Sequence, residues 1–234
     1  MLPAARKYKP DFSQLVRVFH REVPDRPVLF EYFMNGDIFS IVTGRPFASL
    51  TSKTEMAKDI IESFYRLGYD YATIPARYLN SFSFEPPDHE RKETISLNDG
   101  AIIRSRSDFG SYPWPDPEEC NYNILDEIEE SIPAGMRLII SGPGGLLENV
   151  IYLTGYENLC FMIYENEDLA RDIFNEVGSR LLRFYEIASS YNSVGALIIN
   201  DDWGFKNQTL FAPETLRQLV FPWQKKTVGA IHGN

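Results

Sequence analysis

Two adjacent carboxylates, Asp201 and Asp202, close an apolar run and are the side chains of this 234-residue sequence best placed to do chemistry. The run reads Gly195-Ala196-Leu197-Ile198-Ile199-Asn200-Asp201-Asp202-Trp203-Gly204. Uninterrupted apolar residues suit a strand covered on both faces in a parallel sheet. Neighbours on a strand face opposite ways, so one Asp can face a site while the other caps the following loop. A carboxylate at the C-terminal end of such a strand can hold a substrate group or move a proton. Asn200 and Trp203 flank the pair and are candidates for substrate contact. The plainer reading is turn and capping duty for the acids and rim packing for the indole.

Other candidates lie at the ends of further apolar segments. Glu31 follows Val28-Leu29-Phe30 and can orient a substrate, act as a base or serve as a ligand. Arg77 lies just beyond Tyr71-Ala72-Thr73-Ile74, a strand cut off by Pro75, where a guanidinium can grip an anion, with Tyr78 beside it as a substrate contact. Gly142-Pro143-Gly144-Gly145 follows Arg137-Leu138-Ile139-Ile140-Ser141. Gly142 and Gly144 would let a ligand approach the backbone at a helix start, or would simply form a tight turn. His20, His89 and His232 read as structural or exposed, and Cys120 and Cys160 as inert.

The elements that must position these residues alternate between strand and helix. Asp11 opens a short helix carrying Phe12, Leu15, Val16 and Phe19 on one face. Ser52-Lys53-Thr54-Glu55 is a capping box, with Met56, Ile60, Phe64 and Leu67 at helical spacing and Gly68 as the stop. Asn166 caps a long helix with the stripe Leu169, Ile173, Val177, Leu181, Phe184 and Ala188. A last helix starts at Pro213, and Pro222 should kink it. Thr94–Leu97 and Ala101–Arg104 flank Asn98-Asp99-Gly100, which predicts an antiparallel hairpin over about residues 93–106.

Four central strands alternating with helices predict the α/β class with a parallel sheet. The expected architecture is a (β/α)8 TIM barrel, incomplete in this chain, with the hairpin inserted. Residues 1–234 read as one domain, the front part of a longer barrel. The formal charge is −10, from 23 basic and 33 acidic side chains, which repels a nucleic-acid backbone. Two isolated cysteines, no signal-like start and no 18-residue apolar run predict a cytoplasmic protein with no membrane contact.

Several motifs taken together resemble the uroporphyrinogen decarboxylase superfamily. They are Arg26-Pro27-Val28 after Pro24-Asp25, Gly142-Pro143-Gly144-Gly145 after a strand, and Asp201-Asp202-Trp203-Gly204. Pro213-Glu214 before Phe221-Pro222-Trp223, and the closing Ala230-Ile231-His232-Gly233, complete the set. The resemblance runs from about residue 10 to the end and implies a barrel with its site at the C-terminal mouth. That superfamily includes tetrapyrrole decarboxylases and methyltransferases that work with methylcorrinoid proteins. The decarboxylases grip their substrate's carboxylates with an Arg-rich motif after the first strand. Here Phe30-Glu31-Tyr32-Phe33-Met34-Asn35-Gly36 stands in that place, with an acid and no Arg.

The resemblance therefore favours corrinoid-dependent methyl transfer to a thiol or related acceptor. Uroporphyrinogen decarboxylation and a non-catalytic corrinoid- or partner-binding role are the alternatives. It implies zinc and a corrinoid as cofactors, with zinc ligands expected beyond Asn234 and none identifiable in this sequence. The implied partner is a corrinoid protein or a small-molecule tetrapyrrole, and a homodimer is allowed.

Overall fold

The computed structural model describes residues 8–79, 82–84 and 101–232. Three short parallel strands form its sheet, β1 (Tyr71–Pro75), β2 (Arg137–Ser141) and β3 (Val194–Ile198), in the order β1-β2-β3. Parallel neighbours need long crossovers, and helices supply them. Ahead of β1 come α1 (Ser13–Phe19), α2 (Gly36–Thr43) and α3 (Lys53–Leu67). Between β1 and β2 lie α4 (Ala76–Leu79), α5 (Arg106–Ser111) and α6 (Ile124–Glu127). Between β2 and β3 lie α7 (Leu146–Thr154), α8 (Tyr156–Glu165) and α9 (Glu167–Ser189), and α10 (Pro213–Leu219) and α11 (Phe221–His232) follow β3. None of these helices is long and apolar enough to cross a membrane.

The chain divides into two compact units. The first takes the described residues of 1–81, 121–141 and 188–198, and so holds the whole sheet. Its α3 starts as the sequence requires: Ser52 Oγ accepts from the Glu55 N–H at 3.1 Å, and Glu55 Oε2 accepts from the Ser52 N–H. Gly68, at φ 88°, ends it. Ile60, Ile61 and Phe64 are buried from this helix, and β1 is buried along its full length. Asp70, immediately before β1, anchors the chain's early residues. Its Oδ1 accepts from Tyr8 Oη at 2.5 Å, Arg26 Nη2 at 2.5 Å and the Asp11 N–H at 2.7 Å. In β3 the register skips Gly195, since Leu138 pairs with Val194 and Ile139 with Ala196. A Cβ at Gly195 would stand 2.6 Å from the Phe12 ring, so the bulge needs glycine.

The second unit takes the described residues of 82–120, 142–187 and 199–234. Leu169, Ile173, Val177, Leu181 and Phe184 are buried along α9 as the helical stripe predicts. Gly178 lies in the middle of this helix, where its missing side chain seats Trp223, 2.4 Å from where a Cβ would stand. The kink expected at Pro222 is a full break at Val220. Pro222 is then the second residue of α11, where its absent N–H has no partner to lose.

Two parts of the expected architecture are overturned. Instead of an incomplete (β/α)8 barrel with an inserted antiparallel hairpin, the described residues form a three-stranded, all-parallel sheet. Val28–Phe30 joins no strand and has no regular secondary structure. The polar groups of Glu31 that a strand partner would take are held by one hydroxyl: Tyr71 Oη accepts from the Glu31 N–H at 2.6 Å and donates to the Glu31 carbonyl at 2.9 Å. Leu29 and Phe30 consequently stay about half exposed. The first hairpin arm and Asn98-Asp99-Gly100 lie outside the described residues, as do His89 and Gly233. The second arm is no strand. The Ile102 and Ile103 N–H groups both donate to the Leu153 carbonyl, and Ser105 then caps α5 by accepting from the Asp108 N–H.

Candidate functional site

Three residues after β3, Asp201 meets the start of α7 within the second unit. Gly145 occupies the N-cap of that helix and has no side chain with which to satisfy the first N–H groups. Asp201 does so from a distance in sequence. Its Oδ2 accepts from the Leu147 N–H at 3.0 Å and its Oδ1 from the Glu148 N–H at 3.1 Å. The fit demands glycine, because a Cβ at Gly145 would lie 2.1 Å from Asp201 Oδ1.

Glu148, passed over in the sequence reading, completes the cluster. Its Oε2 accepts from the Gly145 N–H at 2.8 Å and from Asn200 Nδ2 at 3.4 Å. The signal was present, since Gly145-Leu146-Leu147-Glu148 is the acidic half of a capping box. Two carboxylates and the amide of Asn200 thus gather on one helix start. Burial pushes the Asp201 carboxyl above its ordinary range. The Leu147 and Glu148 N–H groups and the Trp203 indole pull it back down, and the Glu148 charge raises it again. The indole N–H acts as a nearby dipole only, because it makes no hydrogen bond of ordinary geometry. Each Asp201 oxygen keeps a second lone pair, so the carboxylate can still take a proton.

The other predicted residues fall as follows. Asp202 is exposed, and its Oδ1 accepts from the Gly204 N–H at 3.1 Å in a local turn. That turn leads into a small antiparallel contact between Gly204 and Thr209 that the sequence did not signal. Trp203 packs on Phe221 with ring centroids 5.1 Å apart. The space beside Gly142 is filled by Tyr185, whose hydroxyl lies 2.0 Å from where a Cβ would stand. Gly144 has φ 96°, a left-handed turn that favours glycine, next to Asn149. The glycine turn thus receives the protein's own side chains.

Glu31, Arg77 and Tyr78 belong to the first unit. The Glu31 side chain is exposed and accepts from its neighbour's N–H, that of Tyr32. Arg77 is exposed in α4, its guanidinium 4.7 Å from the centre of the Tyr78 ring. The structure brings together Asp201, Asn200 and the glycine turn with Glu148, and it leaves Asp202 in a turn of its own.

The sequence resemblance implies zinc and a corrinoid but identifies no ligands within this sequence. Among the described residues, no three His, Cys, Asp or Glu side chains gather as metal donors. An apolar niche in the second unit, lined by Leu146, Leu181, Tyr185, Ile199, Trp223 and Thr227, measures about 10 Å³. That is room for about one water and no macrocycle.

No protein-family model matches this sequence, and none of the curated proteins matches it. The chain is similar in fold to a methyltransferase. That solved structure, from Methanosarcina mazei, superimposes with a TM-score of 0.64 at 10% identity. The likeness covers 94% of this chain and 66% of the methyltransferase, so the chain spans about two thirds of that protein's length. At this identity the match shows a common fold. It does not directly address the uroporphyrinogen decarboxylase superfamily that the motifs resemble.

Proposed function

We propose that this chain belongs to a methyltransferase whose acceptor is a protic nucleophile of the thiol class, with Asp201 as the base. The observation that carries the reading is the Asp201 carboxylate, half-buried and held by two N–H groups at the start of α7. The methyltransferase-like fold supports the reaction class. A carboxylate with raised proton affinity is a stronger base than a solvated one and closer to the working range of a thiol. In the proposed step the acceptor X–H gives its proton to Asp201. The lone pair left on X forms the new bond to the methyl carbon. The bond from methyl to donor breaks, and its electron pair departs with the donor.

The test is methyl-thioether formation from a labelled methyl donor and a thiol. Asp201→Asn should lower the rate about 100-fold or more, the usual contribution of a general base, with the far-ultraviolet circular dichroism unchanged. Transfer by Asp201→Asn at the rate of the unmodified chain would overturn the assignment.

A further inference from the structure

We propose that Glu148 is a positioning residue for Asp201, stapling residues 200 and 201 to the first turn of α7. Glu148 reaches this corner twice. Its side chain binds the Asn200 amide and the Gly145 N–H, while its main-chain N–H binds Asp201 Oδ1. Residue 148 therefore fixes two consecutive residues of the chain after β3, one through each of its polar groups. Gly145 allows the approach, since any side chain there would overlap the Asp201 carboxylate. The groups facing Asp201 from α7 are the two N–H donors and the Glu148 carboxylate, and from its own loop the Trp203 indole. Glu148 is the charged member of that set, so it opposes loss of the Asp201 proton. The inference rests on the proposed role of Asp201, but its geometry and its first readout do not depend on turnover.

The experiment follows the Asp201 side-chain carboxyl by carbon NMR across a pH series in the unmodified chain and in Glu148→Gln. Glutamine keeps the shape and removes the charge. The proton affinity of Asp201 should fall about threefold to tenfold. An unchanged Asp201 titration in a folded Glu148→Gln protein would overturn the proposal. Should that variant not fold, the unmodified chain decides alone. The Asp201 carboxyl, facing a neighbouring charge, should then titrate in two steps, and a single-step Asp201 curve would overturn it. In a methyl-transfer assay the pH profile of Glu148→Gln should move in the same sense and by the same factor as the NMR midpoint. Coupled titration without methyl transfer in any variant would refute the proposed function and leave the Glu148 assignment standing. Transfer without coupling would refute the Glu148 assignment alone.

Discussion

Asp201 combines two demands that usually conflict. A carboxylate at a helix N-terminus is stabilised as an anion by the N–H groups it accepts from. Burial works against the anion, and at Asp201 burial wins, leaving the group above the ordinary carboxylate range. The folded chain therefore binds this proton more tightly than the unfolded chain does. The stability it contributes is full below the ordinary carboxylate range and is lost as pH rises through the raised native value. Denaturant titrations at a series of pH values should show this downward slope in the unmodified chain and lose that part of it in Asp201→Asn. Asp201→Ala removes both acceptors for the first turn of α7 and should lower stability by about 1 kcal/mol, with Tm as the readout. By contrast Asp202→Asn changes an exposed residue bound to its own turn, and activity should stay within about twofold. Of the predicted pair, the sequence could say that one acid takes the local turn and the other faces elsewhere. It could not say which, because that depends on where α7 begins.

Glycines decide how the helices meet. Gly178→Ala would place a methyl group 2.4 Å from the Trp223 indole. Alanine gains about 1 kcal/mol of helix propensity there, and overpacking costs about 1–3 kcal/mol. The net effect should be a lower Tm, and a second substitution, Trp223→Leu, should restore it. Gly145→Ala has no such compensation, since the clash is with the Asp201 carboxylate itself, and it should lower both stability and methyl transfer. Tyr71→Phe tests the other unit. It would remove the hydroxyl that holds both polar groups of Glu31, with an expected loss of about 1–3 kcal/mol by chemical denaturation. Burial pushes that hydroxyl's pKa up to about 12, so it stays protonated across the useful range. Elements with strong local signals were legible: the Ser52–Glu55 box, the Gly68 stop, the α9 stripe, and β1 and β2 within a residue. Val28–Phe30 misled because its apolar pattern is that of a strand, while its fate was set by a tyrosine 40 residues away. Ala101–Arg104 misled through the Asn98-Asp99-Gly100 turn signal, although Ser105 to Asp108 already offered a helix cap.

For the whole molecule, the order strand, helix, strand was readable and the number of strands in the sheet, three among the described residues, was not. Hydrophobic periodicity reports which faces are covered, and it cannot count the strands that do the covering. The Methanosarcina mazei methyltransferase shares the fold; the reaction class is a proposal, and the side chains gathered at α7 supply its base. The measurement that bears most directly on this assignment pairs kinetics with titration. The rate of methyl transfer to a thiol is followed across pH, and the Asp201 carboxyl is titrated by carbon NMR in the same protein. A base acts in its ionised form, so the rate should rise with pH and level off, with its midpoint at the NMR midpoint of Asp201. A rate that is flat through the Asp201 titration, or that rises at an unrelated pH, would contradict Asp201 as the base.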